Sequence, residues 1–307
     1  MRLWAAHLAI LLLLPILLSG VINRTKALWA GRKGPPLLQL AFDLARLLRK
    51  KPVYSEVTTP LFHLAPLVIL ASTLVSGLMV PLLGSIAPWT FSFDFIAVLY
   101  LWGLGRMFLM LAALDTGSSF EGMGASREAT FAALLEPAVL LALGALAAVT
   151  GNSSFAGILH IGVGSPVHVV VSVACVVTFV LVLQIEAARV PVDDPGTHLE
   201  LTMIHEVMIL DHSGPDLAAL QYAAAMKLTL CAALVATVVN PLPLAHGVWL
   251  VGLANVGLIL LVGVLIGFGE SLTARLRLGA VPQYIAIALV AAFVALLSTA
   301  WRQGGIG

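Results

Sequence analysis

LWAAHLAILLLLPILLSGVI (residues 3–22) holds no charged side chain. A helix of that length rises about 30 Å, the hydrocarbon thickness of a bilayer. Arg2 ahead of a leucine-rich core also invites comparison with a secretory leader. No A-x-A-like cleavage site follows, and the run leads straight into a basic segment. A retained membrane helix is therefore expected.

Seven further apolar runs of similar length follow, at 61–83, 92–115, 131–150, 167–186, 218–239, 246–267 and 281–300. The whole chain is 60% hydrophobic and 10% charged, against about a quarter charged in a soluble domain. The expected fold is all-α: a polytopic membrane protein of about eight transmembrane helices, with 1–307 a single integral membrane domain. Its loops would be 23–60, 116–130, 187–217 and 268–280. Cys175 and Cys231 lie in apolar runs and no CxxC occurs, so no metal site or iron–sulfur cluster is expected in this chain.

The basic residues set an orientation. Loop 23–60 carries eight: Arg24, Lys26, Arg32, Lys33, Arg46, Arg49, Lys50 and Lys51. Arg127, Arg189, Arg275 and Arg277 fall on the same side, whereas the other side has only Arg2 and Arg302. By the positive-inside rule the large loops are expected to be cytoplasmic and both termini outside. In the first loop, LLQLAFDLARLLRK (37–50) repeats leucine at helical spacing, as in a helix lying in the membrane interface.

The third loop is the acidic one. From Glu186 to Asp216 it collects seven of the fifteen carboxylates: Glu186, Asp193, Asp194, Glu200, Glu206, Asp211 and Asp216. Thr197 is a candidate cap for a helix running to about Asp211, where Ser213-Gly214-Pro215 would stop it. His198, His205 and His212 recur every seven residues. Two such turns span about 10 Å, too far for two histidines to grip one ion. His205-Glu206 begins the H-E-x-x-H pattern of a zinc protease, but isoleucine stands at 209. A solvated acidic face, a partner-docking loop and a proton-handling loop all remain open.

Ionisable residues also occur inside the runs: Arg106 and Asp115 in the third, Glu136 in the fourth, Lys227 in the sixth. Charges in hydrocarbon are costly unless paired or hydrated, so these are expected to face the bundle interior. They read either as helix-tying ion pairs or as the membrane part of a charge path.

Three segments together resemble a known family. GRKGPPLLQLAFDLARLLRKK is similar to its R-x-G-P motif with a following Gln and Asp. GASREATFAALLEP supplies Arg127, Glu128 and Glu136. EAARVPVDDPGTHLELTMIHEVMILDHSG is similar to its E-x-x-R-x-P-x-D, an E-L segment and a closing S-G. The family is the membrane subunit shared by respiratory complex I and membrane-bound nickel–iron hydrogenases. The long HLELTMIHE segment is closest to the hydrogenase branch, that of formate hydrogenlyase subunit 4 and hydrogenase-4 component C. Asp211-His212 stands where the family usually has Glu-Tyr, and Pro36 where complex I has Asn.

The resemblance implies a non-catalytic membrane subunit of an oxidoreductase complex in the cytoplasmic (inner) membrane. Its loops would dock hydrogenase-like large and small subunits, and antiporter-like membrane subunits would lie alongside. Iron–sulfur clusters, and a nickel–iron centre where present, would belong to the partners; quinone is the acceptor in the complex I branch. Glu186, Arg189 and Asp193 would organise the loop mouth, with Glu200, His205, Glu206, Asp211 and Asp216 relaying charge or protons. Arg32, Asp43, Arg127 and Glu128 would border the cavity entrance. Arg106, Asp115, Glu136 and Lys227 would form the membrane path. No nucleic-acid partner is expected. A quinone-site subunit is the competing class, and a stand-alone transporter is disfavoured because no internal repeat is visible.

Overall fold

A computed structural model describes residues 2–84, 86–162, 165–193 and 203–303. Ten α-helices follow one another in these residues: α1 (Arg2–Trp29), α2 (Gln39–Leu48), α3 (Pro60–Met79), α4 (Asp94–Asp115), α5 (Ser119–Thr150), α6 (Phe155–Ile158), α7 (Pro166–Glu186), α8 (Gly214–Val239), α9 (Val248–Leu272) and α10 (Val281–Gln303). Eight are long and apolar enough to cross a membrane: all except α2 and the short α6. They correspond to the eight runs read from the sequence.

Several helices outrun their apolar runs, α1 for one reaching Trp29 past a run that ends at 22, because hydropathy reports the bilayer, not the helix. The fourth apolar run begins at 131, yet α5 starts at Ser119. Residues 119–130 contain no proline to interrupt helical hydrogen bonding. The expected loop 116–130 is therefore only a tight turn, in which Thr116 Oγ1 donates to Ala113 O at 2.8 Å. Likewise α9 extends to Leu272, into the expected loop 268–280.

The helix expected over 197–211 begins outside the described residues, as do Thr197, His198 and Glu200. Its described part is a short 3-10 helix, Glu206–Ile209, rather than an α-helix. Val207, Met208 and Ile209 are all buried there, so packing of three successive side chains overrides a one-sided helical pattern.

The central element is α8. Leu228 through Val238 is buried without a break, as expected of a helix apolar on every side. Around it, α3 packs on α4 and α8, α1 on α8 and α9, and α10 on α5 and α7. Large apolar side chains such as Leu13, Tyr100, Leu253 and Val290 point outward from the bundle. Close helix packing uses small residues. At Gly20, for example, the carbonyl of Leu37 occupies the space a Cβ would need.

Candidate functional site

Arg106 lies near the middle of α4 and is buried. Three carboxylates surround its guanidinium. Nη1 meets Glu136 Oε1 at 2.7 Å, Nε meets Glu128 Oε1 at 3.2 Å, and Nη2 pairs with Glu186 Oε1. Glu128 and Glu136 come from α5 and Glu186 from the end of α7. A planar guanidinium with several donors suits such multiple pairing better than an ammonium does. The other oxygen of Glu186 pairs with Lys227 Nζ on α8. Lys227 also stands over the Trp102 ring, 5.8 Å from its centroid, within cation–π range. Three carboxyl groups thus face two basic side chains.

Pockets lie on three sides of this cluster. A small one of about 50 Å³, large enough for water, touches Ser72, Thr73, Trp102, Arg106, Glu186 and Lys227. A larger chamber of about 490 Å³ is lined by Lys26, Asp43, Arg189, His205 and Glu206, again with Glu186 and Lys227. On the flank of α4 and α5, a crevice of about 580 Å³ is lined by Tyr100, Gly103, Met107 and Glu136. The Glu136 side chain is 54% exposed, although it sits within a membrane-spanning helix. Glu186 borders all three spaces.

The chamber mouth is held by a second set of ion pairs. Glu270 of α9, almost fully buried, meets Arg189 Nη1 and Lys26 Nζ, each at 3.5 Å. Asp193 Oδ1 pairs with Arg275 at 2.9 Å. Its Oδ2 accepts from the backbone N–H groups of Ile204 and His205 at 3.0 and 3.1 Å. Leu276 N donates to Pro191 O at 2.8 Å. One acidic side chain therefore fastens the start of the acidic loop to its return and to the α9–α10 connection.

The extension of α5 cradles that return. Arg127 Nη1 donates to Met203 O at 2.7 Å, and Glu121 Oε1 accepts from Asp211 N at 3.2 Å. Between them Gly124 lets Val207 approach where a Cβ would collide. Nearby, His212 lies flat on Phe62, with ring centroids 3.9 Å apart. Ser213 Oγ accepts from Val53 N at 2.8 Å, joining the loop after α2 to the start of α8.

The residues expected to act therefore divide. Arg106, Glu128, Glu136, Glu186 and Lys227 converge in one cluster, and Glu128 sits there rather than at the cavity entrance. Arg189, His205, Glu206 and Asp43 reach the chamber. Arg127 does not border it; its guanidinium holds the loop instead. Asp115 stands apart from the cluster: it accepts from Thr59 N at 2.7 Å and Thr59 Oγ1 at 3.0 Å, tying α4 to the start of α3. Arg32 is exposed and does not line the chamber. Asp211 is exposed, and Asp216 lies at the start of α8. Glu200 and Asp194 lie outside the described residues.

Glu270 and Glu121 are additions that the sequence reading does not contain. Glu270 sits three residues past the run that ends at 267, inside the same helix, and Glu121 sits ten residues ahead of the run that begins at 131, in the extension of α5. An acid within one turn of a run's end is the signal that could have found Glu270; Glu121 carries no such signal. Among the described residues no group of three His, Cys, Asp or Glu has the arrangement of a metal site. Cys175 and Cys231 are buried and form no disulfide.

A many-spanned helical protein with a charged core bordered by pockets defines the class: a membrane subunit with paired intramembrane charges. The model of the NADH dehydrogenase family matches residues 3–300, and the chain belongs to that family. It is similar to hydrogenase-4 component C of Escherichia coli K12, with 33% identity over 75% of this chain and 72% of that one. It is similar also to formate hydrogenlyase subunit 4 of the same organism, with 30% identity over 92% and 93%. Among solved structures, a chain of the membrane-bound sulfane sulfur reductase, an archaeal respiratory membrane complex, aligns with a TM-score of 0.77. It covers 97% of this chain and 100% of its own, at 20% identity, a likeness of fold.

Proposed function

We propose that this chain is the membrane-anchoring and energy-coupling subunit of a hydrogenase- or formate hydrogenlyase-type complex. Its loops dock hydrogenase-like large and small subunits that carry the iron–sulfur clusters and, where present, the nickel–iron centre. Its charged core hands protons or sodium-coupled charge to antiporter-like neighbours in the inner membrane. The loop face is cytoplasmic on the positive-inside count.

One observation carries this reading: Glu186 touches the chamber beneath the acidic loop and, through Arg106, the half-exposed Glu136. A charge change in the chamber alters how strongly Glu186 attracts Arg106 and Lys227. That in turn changes the field at Glu128 and Glu136. No electron carrier is required of this chain for such a coupling.

The test is isolation of the complex in mild detergent, followed by partner identification and nickel and iron analysis. Partners with nickel and iron, and ion translocation abolished by Glu186→Gln, are the expected result. A protein isolated alone and without metal overturns the reading. The size of the chamber, with Lys26, Arg189 and Asp43 on its wall, also favours a quinone-site subunit as the second reading. Bound quinone together with iron but no nickel would select it.

A further inference from the structure

The short helix α2 has two different neighbours. Through Leu40 and Asp43 it lines the polar chamber. Through Leu38, just ahead of its first turn, and Ala41 it borders a separate crevice of about 580 Å³, whose other wall is α1 between Ala9 and Leu17. Every residue lining that crevice is apolar. Each pair of positions is three apart, so they form two adjacent stripes on one helix. No residue of α2 is buried within the bundle, and Phe42 and Leu48 point outward, 60% and 62% exposed.

The same segment is strongly cationic. Residues 23–60 contain eight Lys and Arg against two carboxylates, Asp43 and Glu56. Lys26 is paired with Glu270 and Arg46 with Asp43. Arg24, Arg32, Lys33, Arg49, Lys50 and Lys51 are exposed and form no ion pair among the described residues. A basic cluster beside a membrane helix attracts anionic headgroups. An amphipathic helix in the interface lays its apolar side into the acyl region. Cations alone would suit any acidic partner. The apolar crevice borders the same short helix that these cations flank in sequence, and the pair suits a molecule with both an anionic head and a hydrocarbon tail.

We propose that the α1–α2 crevice is a binding site for an anionic phospholipid. One acyl chain lies along Ala9–Leu17 beneath Leu38 and Ala41, and the headgroup phosphate is held by the cations flanking α2. The bound lipid covers one stripe of α2 while the adjacent stripe faces the chamber. This site is independent of the redox partner the chain serves.

Lipid analysis of the intact complex tests it. The wild-type complex should retain phosphatidylglycerol through detergent exchange. It should also take that lipid up in preference to phosphatidylcholine when reconstituted into vesicles containing both. Removing two cations, Arg49→Ser with Lys50→Ser, should lower anionic-lipid retention roughly tenfold. Filling the crevice by Ala41→Trp should expel the lipid while the partner subunits stay bound. Should that variant fail to assemble, Leu13→Trp fills the same space from α1. Retention without headgroup preference overturns the proposal, as does a quinone in the lipid's place or unchanged lipid in the variants. So does loss of partner subunits from the doubly neutralised variant with its lipid intact, which would assign the basic cluster to a protein contact.

Discussion

The two ends of the bundle treat buried polar groups in opposite ways. At the end that holds Leu82, Asp94 and Asn240, buried polar groups bond mostly to backbone, the carboxylate of Asp94 included, which accepts from Phe155 N. Asn255 Nδ2 donates to Leu82 O at 2.9 Å and to Thr237 Oγ1 at 3.3 Å. Asn240 Nδ2 donates to Val251 O at 3.3 Å. From the middle of α4 towards the other end full charges face one another around Arg106 and Glu270, with cavities beside them. Networks of the first kind fix one arrangement, because most partners are rigid backbone groups. Charged clusters beside water-sized spaces can change protonation without unfolding. On the proposed function, the first region holds shape and the second responds.

The largest expected effect falls on the charged end. Glu186→Gln leaves Arg106 and Lys227 short of their shared carboxylate. Removing one member of a buried pair costs about 3–5 kcal/mol, so both complex yield and ion translocation per turnover should collapse. Normal translocation in vesicles would remove Glu186 from the coupling route. At the first end, Asn255→Ala strips partners from Leu82 O and Thr237. It should lower thermal stability by about 2 kcal/mol while turnover per assembled complex stays at the wild-type level. A coupling defect there would erase the distinction between the ends.

Glu136→Gln sharpens the comparison within the charged end itself. Because its side chain is half exposed, assembly should survive, and translocation should fall several-fold in vesicle assays. Intact translocation with poor assembly would make it a strut.

His212 sets a smaller, pH-dependent effect. It is 2% exposed, with no hydrogen bond at either ring nitrogen. Burial pushes its imidazole down to about 4; nearby Asp216 opposes the shift, and His63 reinforces it. A solvated imidazole titrates near 6.5. Loop packing on Phe62 is thus at full strength above about pH 6.5, weakens as pH falls, and has lost this contribution below about pH 4. Proteolysis at residues 50–59 should accelerate between pH 7.5 and 5, and His212→Phe should flatten that profile. Smallest is Asp43→Asn, which breaks a surface pair with Arg46 and should move stability by no more than about 0.5 kcal/mol. A larger loss would mean that the chamber wall depends on it.

The eight spans are legible in the sequence because each is an uninterrupted apolar run, and the bilayer imposes that pattern directly. The helix extension from Ser119 is not legible, since hydropathy falls where α5 leaves the membrane although its hydrogen bonding continues. Arg106 and Lys227 stand out as charges within apolar runs. Their pairing does not, because Glu128, Glu136 and Glu186 lie 22, 30 and 80 residues from Arg106 and only the packing of α4, α5 and α7 brings them together. The same holds for Glu270, which hydropathy alone assigns to a loop. The histidine spacing in the acidic loop suggests a helix. Burial of Val207, Met208 and Ile209 instead imposes a tighter turn on the described part.

The length of α5 has a mechanical consequence. Its 32 residues make a rod of about 48 Å at 1.5 Å per residue, gripped at its projecting end by the 203–211 segment. Further along the same rod stand Glu128 and Glu136, whereas Arg106 belongs to a different helix. On the proposed coupling, a push on the loop would be delivered as a shift of two carboxylates against a guanidinium. Pro137, directly after Glu136 in the rod, interrupts the hydrogen-bond ladder there and marks where it can flex. The break thus falls beside the most exposed carboxylate of the Arg106 cluster, and Pro137→Ala would stiffen the rod there without touching a titratable group.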